Sequence, residues 1–186
     1  MKKLIALILA PLCLLGLVAC FPVDPGYENT VAYASWSDDP MIVNDAINKA
    51  QLGNENGNHL PIFKIDTLED LEQFKAKYGG VLALDQGYNS VLSFNEALTK
   101  AQWDREGFFK DHSLLAVYVP ANSGSLRFAV HNIEVTYESV CVYVEQTNHP
   151  EVVTDDMAGW FVLVEIADDE ISNCYAYDAI FVNSEK

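Results

Sequence analysis

Basic residues are scarce in this chain. Only 11 of its 186 residues are lysine or arginine, against 27 aspartates and glutamates. Two of the eleven, Lys2 and Lys3, stand at the very start, so nine remain for the rest of the chain. A protein so poor in positive charge lacks the basic footprint of a nucleic-acid partner. It is also repelled by anionic lipid headgroups. Acidity itself speaks to solubility, not to activity. Long apolar runs are few as well. Beyond the first twenty residues none approaches the length of a membrane helix, about 20 residues, so no transmembrane segment is expected there. Cysteine is sparse, with four in all and no C-x-x-C pair. That spacing excludes a zinc quartet and a dithiol redox motif. There is no G-x-S-x-G elbow. The acid pairs Asp38-Asp39, Asp155-Asp156 and Asp168-Asp169 lack the alternating D-x-D-x-D-G pattern of a calcium loop. They read as solvated surface, and no metal or other cofactor is expected.

The opening of the chain is its most informative stretch. Lys2 and Lys3 precede an uncharged run from Leu4 to Val18. A short positive segment followed by an apolar run of that length is the order of a secretory signal. The run ends in Leu17-Val18-Ala19-Cys20, which resembles the lipobox of bacterial lipoproteins. The resemblance implies lipid transfer to the thiol of Cys20, cleavage after Ala19 and a mature chain that begins at Cys20. Two acyl chains give durable attachment where one is marginal, since each buried methylene contributes roughly 0.8 kcal/mol. The expected address is therefore the extracytoplasmic face of the cell membrane, with the lipid as the anchor. Residues 1–19 are expected to be the signal peptide. Residues 20–60, with Pro22, Pro25 and Gly26 near their start, are expected to be a lipid-anchored tether and partly ordered segment.

Residues 61–186 have the size and apolar content of a single domain. "IFKI" (62–65) reads as a short strand. Thr67 caps a helix whose stripe is Leu68, Leu71, Phe74 and Tyr78, and Gly79 stops it. Ser93 and Glu96 form the S-x-x-E capping box of a second helix over about 94–103. A third, shorter helix is expected within 40–50, where Ile42, Ala46 and Ile47 have helical spacing. Four strand-like runs follow, at 113–119, 126–135, 140–146 and 159–167, and a fifth at 175–182. In the second of these the phase breaks, and one bulge near His131-Asn132 would return its apolar residues to one face. The run 159–167 is apolar on both faces and so expected to be central. The expected fold class is α+β: an antiparallel β-sheet of about five to six strands packed against two to three N-terminal helices.

Three stretches, 59–79, 108–135 and 149–166, resemble a family of small, uncharacterised lipoproteins of Gram-positive bacteria. The family pattern is a phenylalanine-rich turn before an "SLLVVY" strand, a "GSGS/R" corner, Pro-Glu-Val, and Met-Ala-x-Trp before a last core strand; this chain has "SLLAVY", "NSGS" and Met-Ala-Gly-Trp at those places. The strand pattern is also distantly similar to the C-terminal domain of PrcB-type protease-complex subunits, which implies an adaptor role by analogy. Neither resemblance implies a catalytic residue.

Candidate sites follow from the residues themselves. Ser123, Gly124 and Ser125, with Arg127 just beyond, form a corner whose backbone N–H groups can make an anion-binding nest. The other reading is a plain hairpin corner. Cys141 and Cys174 are the thiols that remain after the signal and the lipid account for Cys13 and Cys20. In an oxidising compartment they either pair as a disulfide or stay free and buried. Ser123, His131 and Asp155 are the residue types of a catalytic triad, but nothing in their sequence context supports one. His59, His112, His131 and His149 share no metal-ligand spacing. Met157, Trp160 and Phe161 could present a hot spot to a partner, though at least one belongs to a core strand. The function read from the sequence is therefore not enzymatic. It is a lipid-anchored, extracytoplasmic binding or adaptor protein, held to the membrane through Cys20 and facing a cell-surface protein or a small ligand. The alternatives are a cell-envelope hydrolase with a dispersed site and a thiol-active protein using Cys141 and Cys174.

Overall fold

The structure is a computed structural model and describes residues 26–47 and 58–182. Cys20 and the signal segment 1–19 lie outside the described residues. The strands are β1 (Asn29–Ser35), β2 (Asn58–His59), β3 (Ile62–Ile65), β4 (His112–Ala121), β5 (Phe128–Val135), β6 (Ser139–Gln146), β7 (Ala158–Ala167) and β8 (Ala176–Val182). The helices are α1 (Pro40–Asp45), α2 (Leu68–Tyr78), α3 (Phe94–Ala101) and α4 (Asp168–Ile171).

The fold is α+β, but the expected single sheet is two. One has the order β1-β7-β4-β3 and is antiparallel throughout; the other has the order β2-β8-β6-β5. In the second, β6 and β8 run parallel, which corrects the wholly antiparallel expectation. The cause is connectivity. Between β6 and β8 the chain leaves the sheet, builds β7 in the other one, and returns through α4, the kind of long crossover that parallel neighbours require.

Three layers result. Leu115, Val117, Trp160, Val162 and Val164 of the first sheet pack against Val140, Val142, Val144 and Ala179 of the second. The opposite face of the first sheet, with Leu114, Ala116, Phe161 and Leu163, packs against Leu71, Phe74, Phe94 and Leu98 of α2 and α3. The strands β4 and β7 are thus covered on both faces, which is why their sequences are apolar without alternation. Burying some 1.5–3 kcal/mol worth of each large side chain at this double interface is the main stabilising term.

The helix ends follow from their caps. Thr67 Oγ1 accepts from the Asp70 N–H at 3.0 Å. Ser93 Oγ accepts from the Glu96 N–H at 3.2 Å while Glu96 Oε2 accepts from the Ser93 N–H at 2.9 Å. The β5–β6 register shifts between Val130 and Asn132, so His131 is the bulge and Phe128, Val130 and Ile133 all reach the core.

The segment expected to act as a tether contributes β1, α1 and β2. The strand β1 pairs with β7 from Asn29↔Val164 to Ser35↔Ala158. Its Ala32 and Ala34 lie against the helical layer and its Val31 and Tyr33 against the inter-sheet core. Small alanines let Phe94 and Phe161 come close, at 5.0 Å between ring centroids. Among the described residues no helix is long and apolar enough to cross a membrane.

Candidate functional site: the two crossover loops

Register places the two ends of the sandwich. Ser35, Ala121 and Ala158 meet at one pole. The loops 122–127 and 147–157 both cross between the sheets there, and Phe128 pairs with Gln146 where they begin and end. At the other pole stand Asn29, paired with Val164, and Ser139, paired with Ala176. The described residues begin at this second pole, where Tyr27 donates to Glu170 Oε2 at 2.7 Å.

The candidate residues Ser123, Gly124, Ser125 and Arg127 are brought together, and the other crossover loop clamps them. The Gly124 N–H donates to Asp156, to its carbonyl at 2.9 Å and its Oδ1 at 3.2 Å. Ser123 Oγ and Ser125 Oγ each lie 2.8 Å from Thr154 Oγ1. Asn148 accepts from the Arg127 N–H at 2.7 Å and donates to the Ser125 carbonyl at 2.8 Å. Arg127 Nη1 donates to the Gly124 and Leu126 carbonyls, 2.7 Å each, and the guanidinium lies 5.0 Å from the Trp160 ring centroid. Tyr88 donates to Asp156 Oδ2 at 2.6 Å. Hydrogen bonds from the Thr154 and Tyr88 hydroxyls hold the Asp156 carboxyl below the usual aspartate range. The backbone N–H groups of the corner are taken up by the chain itself: that of Gly124 by Asp156 and that of Ser125 by Ser123 Oγ at 3.1 Å.

Close side chains favour glycine at 124. A Cβ there would stand 2.6 Å from Asp156 Oδ2 and 2.7 Å from the Tyr88 ring. Sequence inspection missed Tyr88, Asn148, Thr154 and Asp156, because nothing local in the chain links them to the corner at 123–127.

Beside this clamp a cleft of about 370 Å³ opens between the sheets. It is lined by the apolar Leu60, Leu126, Phe128 and Phe181 and by the amide residues Asn58, Asn122 and Gln146. An apolar floor with amide groups suits a neutral ligand or an extended chain segment.

The other candidates have structural partners. Cys141 and Cys174 are free thiols, so the disulfide reading does not hold here. Cys174 packs against the inter-sheet core. Cys141 points from β6 to the other face of the second sheet, beside Glu134 and Asp178. Burial pushes its thiol up to about 11. The residues Ser123, His131 and Asp155 do not converge: Ser123 bonds Thr154, and His131 sits 3.4 Å from Glu145. Each acid pair divides its labour. Asp39 caps α1 through the Met41 N–H, Asp156 accepts from the Gly124 N–H and the Tyr88 hydroxyl, and Asp168 accepts from Ser113 at 2.5 Å. Their neighbours Asp38, Asp155 and Asp169 are exposed. Trp160 and Phe161 are fully buried on opposite faces of β7, and Met157 is left outside. Among the described residues no group of three or more His, Cys, Asp or Glu is placed to hold a metal ion.

No protein-family model matches the chain, and no solved structure matches it. The chain is similar to the malonyl-S-ACP:biotin-protein carboxyltransferase MADD of Malonomonas rubra, 24% identical over 135 residues. The match covers 70% of this chain and 45% of that protein, so the chain spans less than half the length of the curated relative it matches.

Proposed function

We propose that this protein is a lipid-anchored, extracytoplasmic binding or adaptor protein, attached to the cell membrane through an acylated Cys20. One observation carries the reading. The described residues begin at the pole marked by Tyr27 and Asn29, whereas both crossover loops and the cleft lie at the opposite pole. A domain tethered at one end turns its other end outward, toward a cell-surface partner. The clamp of hydrogen bonds between the loops supports the same reading, because a pre-ordered surface binds with a smaller entropic cost. The test is cross-linking and capture of the lipidated protein from its own membranes, beside a Cys20→Ala control. A single dominant partner, lost from the control, is the expected result. Retention of the Cys20→Ala protein in the membrane fraction would remove the lipid from the proposal.

The match to the carboxyltransferase favours a second reading, in which the chain takes part in carboxyl-group transfer. It is the weaker one, since more than half of that relative has no counterpart in the match. Incubation with malonyl-S-ACP and a biotin protein, followed by assay for carboxylated biotin, tests it; an unmodified biotin protein would end it.

A further inference from the structure

The loop that carries β6 into β7 holds three large apolar side chains out in water. Val152 is 82% exposed, Val153 55% and Met157 52%. Exposed apolar side chains scattered singly need no explanation, but three on one short loop point to an interaction site. The residues among them are fixed. Thr154 is bonded to Ser123 and Ser125, and Asp156 to Gly124 and Tyr88. The three side chains are thus displayed from a clamped backbone, at the pole opposite Tyr27 and Asn29.

Along this part of the chain the formal charge has one sign. No lysine or arginine occurs between Phe128 and Glu185, a stretch that builds β5, β6, β7 and β8. Glu151 and Asp155 flank the two valines and are exposed. The nearby cation, Arg127, is committed to two carbonyls and the Trp160 ring. A second copy of this chain would set like charges face to face, which opposes association.

We propose that Val152, Val153 and Met157 dock into an apolar pocket on a partner protein whose rim carries lysine or arginine facing Glu151 and Asp155. This deepens the adaptor reading and rests on it. Apolar anchors inside a charged rim are the usual division between affinity and selection of the right partner.

The test uses the lipidated full chain in phosphatidylcholine nanodiscs, with methionine carrying a 13C methyl group. The probe is a twelve-residue peptide of alternating leucine and lysine. A serine–lysine peptide of equal charge and a leucine–glutamate peptide are the controls. The leucine–lysine peptide is expected to move the Met157 methyl resonance and leave that of Met41 in place. V152S/V153S and E151K/D155K should each weaken binding by about tenfold or more. E69K/E72K, an equal charge change on α2, should leave it within about twofold. An unmoved Met157, equal binding of the serine–lysine peptide, or indifference to V152S/V153S would overturn the proposal. The readout does not depend on Cys20. Membrane capture that survives V152S/V153S would therefore remove this surface while leaving the adaptor reading intact.

Discussion

The carboxylate of Asp156 sits in the turn at Gly124, with Oδ1 3.2 Å from the glycine nitrogen and Oδ2 2.6 Å from the Tyr88 hydroxyl. Asp156→Ala removes the carboxylate from Gly124 and Tyr88 but keeps the Asp156 carbonyl on the Gly124 N–H at 2.9 Å, so millimolar sulfate should leave the Gly124 amide resonance in place in both the variant and the parent protein. A sulfate response in the variant alone would show that the Asp156 carboxylate had occupied an anion site. The pH dependence has a definite sign. The folded carboxyl titrates below its unfolded value, near 3.9. Its stabilising contribution is therefore complete above that value and is lost as pH falls through the lower folded one. The Gly124 amide resonance should stay flat from neutrality to about pH 4 and move only below it.

Three glycines predict a ranking of stability. At Gly159 a Cβ would meet the Ser35 carbonyl oxygen and the Tyr118 hydroxyl, each at 2.6 Å. The first is backbone in β1 and cannot turn aside. Gly159→Ala should cost about 3 kcal/mol, at the high end for overpacking. At Gly124 the obstacles are side-chain ends held by hydrogen bonds, and Gly124→Ala should cost about 1–2 kcal/mol. Gly107 has open space around it and helical φ, so Gly107→Ala should be neutral or stabilise by about 0.4–1 kcal/mol. Urea titrations of the three variants check the order.

The two described thiols should differ in reactivity. Cys141 is fully buried and its thiol is raised to about 11, so at pH 8 about one molecule in a thousand carries the thiolate. Cys174 is half-buried. Brief iodoacetamide treatment of the native protein, read by peptide mass, should alkylate the Cys174 peptide and spare that of Cys141. Equal labelling would mean that β6 opens readily, and would revive a thiol-based role.

Arg127 joins the clamp to the core. Arg127→Ala removes a cation over the Trp160 ring and two donors to turn carbonyls. A loss of about 1–2 kcal/mol is expected, with a changed near-ultraviolet dichroism from Trp160. Arg127→Lys should recover less than half, because an ammonium cannot lie flat on the indole while reaching both oxygens. Full recovery by lysine would mean that charge alone matters at this position.

Much of the fold was legible in short stretches. Thr67 and the Ser93–Glu96 box mark helix starts because a cap is a local contest for unpaired N–H groups. The bulge at His131 was legible because a period of two tolerates one extra residue and no more. The strand β1 was not: alternating alanine and Val31 or Tyr33 give little hydrophobic contrast, and only pairing with β7 reveals the order. The corner at 123–127 was found, but its partner was not. Asp156 lies 32 residues away from Gly124, and an aspartate in "TDDM" looks like any solvated acid.

By itself the sequence determined β3 to β8, α1 to α3, the caps of α2 and α3, the bulge and the sparing use of positive charge, and these rest on interactions within a few residues. It also carries the expectation of an anchor at Cys20. Tertiary structure decided which sheet each strand joined, that β6 and β8 run parallel, and that the corner at Gly124 bonds to Asp156 of the other crossover loop. The reason is physical. Strands apolar on both faces do not say which layer will cover each face, and a hydrogen bond between two loops exists only once packing has brought those loops to the same pole.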